Sequence, residues 1–229
     1  MCYSFLQRFL LMVPKEKAER LLNSKVVIFG TGGVGGAVVH MLARTGISNL
    51  TIVDFDRIDQ TNINRQLVAF HSNIGKFKVD ELEKQIHDIN PDCNVKTFKT
   101  KLSAETIEQF DLNDYDYIVD CIDDLPAKKV LIKYASTNKL NILCAMGAGN
   151  RYSEIPQFEI SNITKTSYDP IAKILRKFCA TERINKLNVC YTKQKAVKFD
   201  CKTVGSVIYY PINMASVMCA KIVNDLLAK

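Results

Sequence analysis

Residues 26–40 read VVIFGTGGVGGAVVH, an apolar run that enters a glycine cluster and leaves it as a second apolar run. This stretch restricts the fold more tightly than any other. It suits a buried strand feeding a tight turn and then a helix. Gly30, Gly32 and Gly35 satisfy G-x-G-x-x-G at that place, and Gly33 lies inside the pattern. Glycines there let the backbone approach phosphate closely, and the helix N-terminus adds unpaired N–H groups and about half a positive charge. The glycines do not say whose phosphates these are.

Strand-like runs over 25–30, 50–54, 95–99, 116–121 and 141–146 alternate with helical patterns near 33–45, 73–89, 103–110 and 125–138. The alternation predicts an α/β fold with a Rossmann-like, mainly parallel sheet and helices on both faces. Stop signals agree, because Gly46 follows Arg44 as a C′ glycine and Asn90-Pro91 closes the helix ending QIHDIN. Past Gly149 a C-terminal α+β extension is expected. A strand is predicted over 155–161, then a helix in YDPIAKILRKF with Asp169 as N-cap and Pro170 at N1. Residues 179–202 read as a polar, mobile loop, GSVIYY as a strand and 211–228 as a final helix. The expectation is one domain over 1–229, with a nucleotide-binding core in 1–150 and the extension in 151–229.

Composition removes several classes. The chain is 47% hydrophobic over 229 residues, enough for a sizeable core. No run nears the roughly 18 consecutive apolar residues of a membrane span. The apolar patch Phe9–Val13 lacks a clear basic region before it and a small-residue cleavage site after it, so no signal peptide is expected. The cysteines at 2, 93, 121, 144, 179, 190, 201 and 219 form no CxxC pair. They read as small apolar residues of a reduced, cytoplasmic compartment rather than as zinc ligands or a redox motif. His40, His71 and His87 are isolated and read as structural or solvent-facing.

Asp54 closes the strand after the glycine turn, where a dinucleotide fold keeps its ribose-binding acid. To that point an NAD-dependent dehydrogenase fits. The residues that follow argue against it. VDFDRIDQTNINRQL sets Asp54, Asp56, Asn62, Asn64, Arg65 and Gln66 within thirteen residues, Lys78 opens a helix, and DCIDD at 120–124 ends a later strand. Strand C-terminal ends line one crevice in this topology, so Arg65, Lys78 and Asp123 converge on the phosphates that the glycine loop holds. An arginine and a lysine neutralise phosphate oxygens, and a carboxylate among them suits Mg²⁺. An internal pyrophosphate needs no such clamp, whereas a triphosphate to be broken does. The bland alternatives are a surface ion pair for Arg65 and a helix cap for Asp120 or Asp123.

GTGGVGG, DFDRIDQTNINRQ, GKFKVD and DCIDD resemble the nucleotide-binding core of the ubiquitin-activating-enzyme-like (ThiF/MoeB) superfamily, whose members adenylate carboxylates. INPDCNV, the run from MGAGNRYSEIPQF through DPIAKILRK, LNVCYTKQKAVK and GSVIYYP resemble, within it, the tRNA threonylcarbamoyladenosine dehydratase family. The resemblance implies ATP and Mg²⁺ as cofactors. Asp54 would bind ribose, with Asp56, Gln66 and Asp120 beside it in the nucleotide site. Asn62, Arg65 and Lys78 would handle phosphates, and Asp123 would hold Mg²⁺. It also implies a homodimer in which Arg8 reaches the partner's nucleotide site. The substrate would be tRNA, its threonylcarbamoyladenosine beside the anticodon being cyclised with loss of water after adenylation of the threonyl carboxylate. A monovalent cation near GAGN (147–150) and a sulfur-relay partner are left open.

Residues 165–202 hold ten Lys/Arg against Asp169, Glu182 and Asp200, and so account for the whole +7 excess. Such a segment suits tRNA phosphates, with Tyr168, Phe178, Tyr191 or Phe199 as candidates to stack on an unpaired base. Such aromatics are more often core residues. Cys179, Cys190 and Cys201 lie in or near the same stretch, with an inert reading beside a covalent one. Two rival functions share the ATP site: adenylation of the C-terminus of a sulfur-carrier or ubiquitin-like protein, and ATP-dependent RNA binding without turnover.

Overall fold

The computed structural model describes residues 4–198, 200 and 203–228. Its strands are β1 (Lys25–Phe29), β2 (Asn49–Val53), β3 (Asn94–Phe98), β4 (Tyr117–Asp120), β5 (Ile142–Ala145), β6 (Glu159–Asn162) and β7 (Asn188–Tyr191). They form one sheet in the order β3-β2-β1-β4-β5-β7-β6, parallel throughout except for the β6–β7 pair. The helices are α1 (Gln7–Leu10), α2 (Lys15–Asn23), α3 (Gly33–Thr45), α4 (Lys78–Ile89), α5 (Leu125–Thr137), α6 (Pro170–Thr181) and α7 (Tyr209–Ala228).

Both faces of the sheet are covered, which is why β1 reads as an unbroken apolar run. Val26 and Ile28 point into a core shared with α3, α4 and α7. Val27 and Phe29 point the other way, into a second core closed by Ala127, Leu131 and Ala135 of α5 and by Phe110 and Leu112. Phe110 sits edge-on to both Phe29 and Phe98, at 5.2 and 5.0 Å between centroids. The expected α/β architecture is thus the observed one.

Four expectations need correction. The helix predicted over 103–110 is only a 3₁₀ turn at Ile107–Phe110. The helix expected from 73 starts at Lys78, because 71–73 form a separate 3₁₀ turn. The stretch 179–202, read as a loop, contains the end of α6 and all of β7, whose Val189, Cys190 and Tyr191 are buried between cores. GSVIYY is no strand: 205–208 are irregular and Tyr209 and Tyr210 open α7. By contrast, Asp169 caps α6 as expected, its side chain accepting from Ala172 N at 2.8 Å.

Candidate nucleotide-binding crevice

Strand order reverses between β1 and β4, and in such sheets a ligand crevice opens at the strands' C-terminal ends there. A cavity of about 860 Å³ lies at that point. Its wall includes Gly30, Gly32, Gly33, Asp54, Asp56, Asn62, Arg65, Gln66, Lys78 and Asp123. Residues more than ninety positions apart are therefore gathered by the strand ends and the segments that follow them.

The floor is the β1–α3 turn. Gly30 holds φ +81°, and a Cβ there would stand 2.7 Å from the Cys121 carbonyl oxygen. Gly35 lies behind it and off the cavity wall, where a Cβ would meet the Gly30 carbonyl oxygen at 1.8 Å. Gly35 thus permits close packing of helix on turn rather than ligand contact, which corrects its reading as a binding residue. Asp54 locks the turn: its Oδ2 accepts from Thr31 N at 2.6 Å and from Thr31 Oγ1 at 2.8 Å, while Oδ1 accepts from Asp56 N at 2.8 Å. Thr31 was missed in the sequence because it reads as a spacer between glycines.

The second wall carries the cations. Lys78 opens α4, is only 4% exposed, and sets its Nζ 2.7 Å from Asp56 Oδ2. Arg65 is held by the Thr61 carbonyl at 2.7 Å and Asn64 Oδ1 at 3.0 Å. Asn62, buried, accepts from Asp59 N at 3.2 Å and closes the turn just before Arg65. Beside them the buried Gln66 Oε1 has no partner among the described residues. A buried acceptor left open costs about 1–3 kcal/mol unless something donates to it. Its place on the cavity wall fits a polar ligand.

Asp123 follows β4 and is exposed on the opposite wall. Asp120 is not in the cavity. It is fully buried, 2.6 Å from Lys128 Nζ, with its Oδ1 accepting from Ile122 N at 3.1 Å. Burial pulls the Lys128 ammonium down most strongly, but the Asp120 charge and hydrogen bond, together with the neighbouring Cys144 and Cys121 thiols, leave the lysine raised. Asp120 therefore shapes the turn that presents Asp123, and its reading as a nucleotide ligand is corrected. Among the described residues no three His, Cys, Asp or Glu side chains cluster to hold a metal. Mg²⁺ commonly needs only one or two carboxylates beside phosphate oxygens, which Asp123 fits.

The third wall, Met146–Gly149, drew notice in the sequence only through its GAGN run. Gly147 N donates to Asp169 Oδ2 at 2.9 Å. The buried Arg151 donates through Nη1 to the Gly147 and Gly149 carbonyls at 3.2 and 2.9 Å, and through Nε to the Gln194 carbonyl at 2.9 Å. The Arg151 guanidinium thus bridges two carbonyls of this loop and holds its shape. Asn150 ties the loop to the far rim, accepting from Gly205 N at 2.6 Å.

The cysteines face the cores. Burial pushes the thiols of Cys93 and Cys179 up to about 11 and those of Cys190 and Cys219 up to about 12. Cys121, on the cavity wall, is raised further by burial and the Asp120 charge. Among the described residues none is poised as a thiolate; Cys2 and Cys201 lie outside them. Arg8, on the short α1, is exposed and off the wall of its own crevice.

A glycine-floored crevice at the switch point, with a lysine, an arginine and a carboxylate on facing walls, defines an α/β protein of the class that binds and activates nucleotide phosphates. The chain belongs to the ThiF family, whose model matches residues 6–223, and within it to the group of the tRNA threonylcarbamoyladenosine dehydratases. The protein of that name from Bacillus subtilis (strain 168) is 40% identical over 176 residues, covering 77% of this chain and 69% of the relative. The one from Escherichia coli (strain K12) is 30% identical over 207 residues, covering 90% and 75%. The crystal structure of E. coli tRNA N6-threonylcarbamoyladenosine dehydratase in complex with ATP matches with a TM-score of 0.87 and 26% identity, covering 93% of this chain and 90% of that one.

Proposed function

We propose that this protein is an ATP-dependent tRNA threonylcarbamoyladenosine dehydratase, cyclising the modified adenosine beside the anticodon by adenylating its threonyl carboxylate. The observation that carries the reading is the meeting of Lys78, Arg65, Asp123 and the open Gln66 acceptor around the glycine floor. Its supports are the relatives' names and the ATP complex of the structural neighbour.

ATP supplies the chemistry, converting a carboxylate oxygen into a leaving group. This chain's residues position and neutralise. The turn at Gly30–Gly33 offers backbone N–H groups at the start of α3. Asp54 accepts from ribose hydroxyls while holding Thr31. Asn62, Arg65 and Lys78 bind phosphate oxygens, and the buried Lys78 is already oriented by Asp56. Asp123 holds Mg²⁺. Such a site works by orientation and charge stabilisation rather than by a strong base.

The working unit is a homodimer. Phe5, Leu11 and Met12, exposed by 41, 86 and 76%, flank Arg8 in the sequence, and exposed apolar residues beside a charged one suit a partner whose crevice receives Arg8. The cellular site is the cytoplasm. Among the described residues no helix is long and apolar enough to cross a membrane.

The test is the mass of nucleosides digested from threonylcarbamoyl-modified tRNA after incubation with protein, ATP and Mg²⁺. Loss of one water only when ATP is present is the expected result. Unchanged mass beside protein-dependent pyrophosphate release would move the substrate to a protein C-terminus.

A further inference from the structure

We propose that Tyr168, backed by Lys195, is a stacking platform for an unpaired base of the RNA substrate beside the crevice. The proposal rests on the RNA reading above and names the surface that reading lacks. Of the four aromatic candidates in the basic segment, Tyr191 is buried in β7 and Phe178 is half-buried below Lys129. Phe199 lies outside the described residues. Tyr168 alone of the described three is open, at 63% exposure.

Its backbone argues for a purpose. Tyr168 holds φ +56°, a left-handed conformation that a bulky side chain rarely adopts. Such strain persists only where surrounding contacts impose it, and it clusters at ligand sites. The contacts are visible one residue on. Asp169 is 2% exposed, caps Ala172 N and holds Gly147 N of the cavity wall. The turn is therefore fixed by the crevice on one side and α6 on the other, and the ring is left standing in solvent.

Lys195 lies over that ring, its Nζ 5.2 Å from the centroid. Its neighbour Gln194 accepts from Arg151, which in turn grips Gly147 and Gly149. Ring and cation are thus rooted from separate segments in the same loop of the cavity wall. Lys165, Lys173 and Lys177 are exposed on the turn before Tyr168 and on α6 beyond it. A flat ring with a cation on it, amid lysines, matches a nucleobase flanked by phosphates, because every base offers a π face and its neighbours offer negative charge. A base-paired duplex offers no such face.

The experiment compares a fluorescein-labelled anticodon stem-loop RNA with a blunt RNA duplex of equal length, by anisotropy on the full-length protein. Tyr168→Gly removes the ring while adopting φ +56° without steric cost, so its Tm stays level or rises. It should weaken stem-loop binding roughly 5- to 100-fold and leave duplex binding unchanged. Tyr168→Phe should bind as the wild type does. Lys195→Ala should lower the salt slope for the stem-loop by about one. Unchanged stem-loop affinity in Tyr168→Gly overturns the platform, as does equal weakening for both RNAs or a wild type that does not prefer the stem-loop. Nucleoside mass separately decides the dehydratase reading, so the two can fail independently.

Discussion

Lys78 is a buried ammonium paired with Asp56, which is itself about half exposed. That geometry keeps the cation ready without neutralising it in a closed pair. Lys78→Ala, Arg65→Ala and Asp123→Ala should each lower kcat roughly 100- to 1,000-fold, the range for losing one charge-stabilising group. Tm should change little for Arg65 and Asp123, which pack against no core. Near-normal single-turnover rates in all three would falsify the assignment. The thiols yield a second prediction. Cys93, Cys179, Cys190 and Cys219 have folded values pushed up to about 11, 11, 12 and 12, above the ordinary thiol value of about 8.5. An acid whose folded value is raised stabilises the fold fully below its unfolded value, and that contribution disappears as pH rises through the folded one. Tm under reducing conditions should therefore not change on account of these thiols up to about pH 8 and should fall from about pH 9 upward. A rising Tm over that window would place the thiols outside the cores. At this scale most of the crevice was readable, because Gly30, Asp54, Arg65 and Lys78 lie in short motifs whose strand context is plain. Asp120 was misread because its partner Lys128 sits in the next helix, where no motif announces a buried pair.

The turn and helix that follow β1 behave as one unit. A Cβ on Gly35 would lie 1.8 Å from the Gly30 carbonyl oxygen, so Gly35→Ala must push α3 away from the turn that forms the crevice floor. Loss of measurable ATP binding by calorimetry is expected, together with destabilisation of about 1–3 kcal/mol in urea unfolding, the usual cost of overpacking. Wild-type ATP affinity in that variant would show that α3 does not set the floor. The same unit explains why the first half was legible: β1, β2 and β4 are almost wholly buried, α3 stops at Gly46 and α4 stops at Asn90-Pro91. The later elements were less so. β7 is four residues long, enters from a basic stretch, and is a strand only because β5 and β6 flank it. VIYY reads as a strand by β-branched and aromatic content, yet Tyr209 and Tyr210 start α7, packed against the rim where Tyr210 Oη donates to the Glu154 carbonyl at 3.1 Å. Tertiary contacts there override local propensity.

For the whole molecule the proposed dimer makes a prediction that no single chain can satisfy. If Arg8 completes the partner's crevice, Arg8→Ala damages the site next door while Lys78→Ala damages its own. Each homodimer is then impaired at both sites. In a mixed dimer, the Arg8→Ala chain keeps its own Lys78 and receives Arg8 from its partner, so one site is whole and the other lacks both groups. Equal mixing with free exchange makes half of the dimers mixed, and dehydration should recover to about a quarter of the wild-type rate. Mixing that recovers nothing, with exchange verified by mass, would mean that Arg8 serves its own chain or none. The exposed Leu11 and Met12 supply the control, because Leu11→Asp with Met12→Asp should abolish recovery by blocking exchange while leaving the Arg65–Lys78 wall untouched. Recovery thus depends on two surfaces at once, the cation at α1 and the exposed apolar residues beside it, and a monomeric enzyme has no means of producing it.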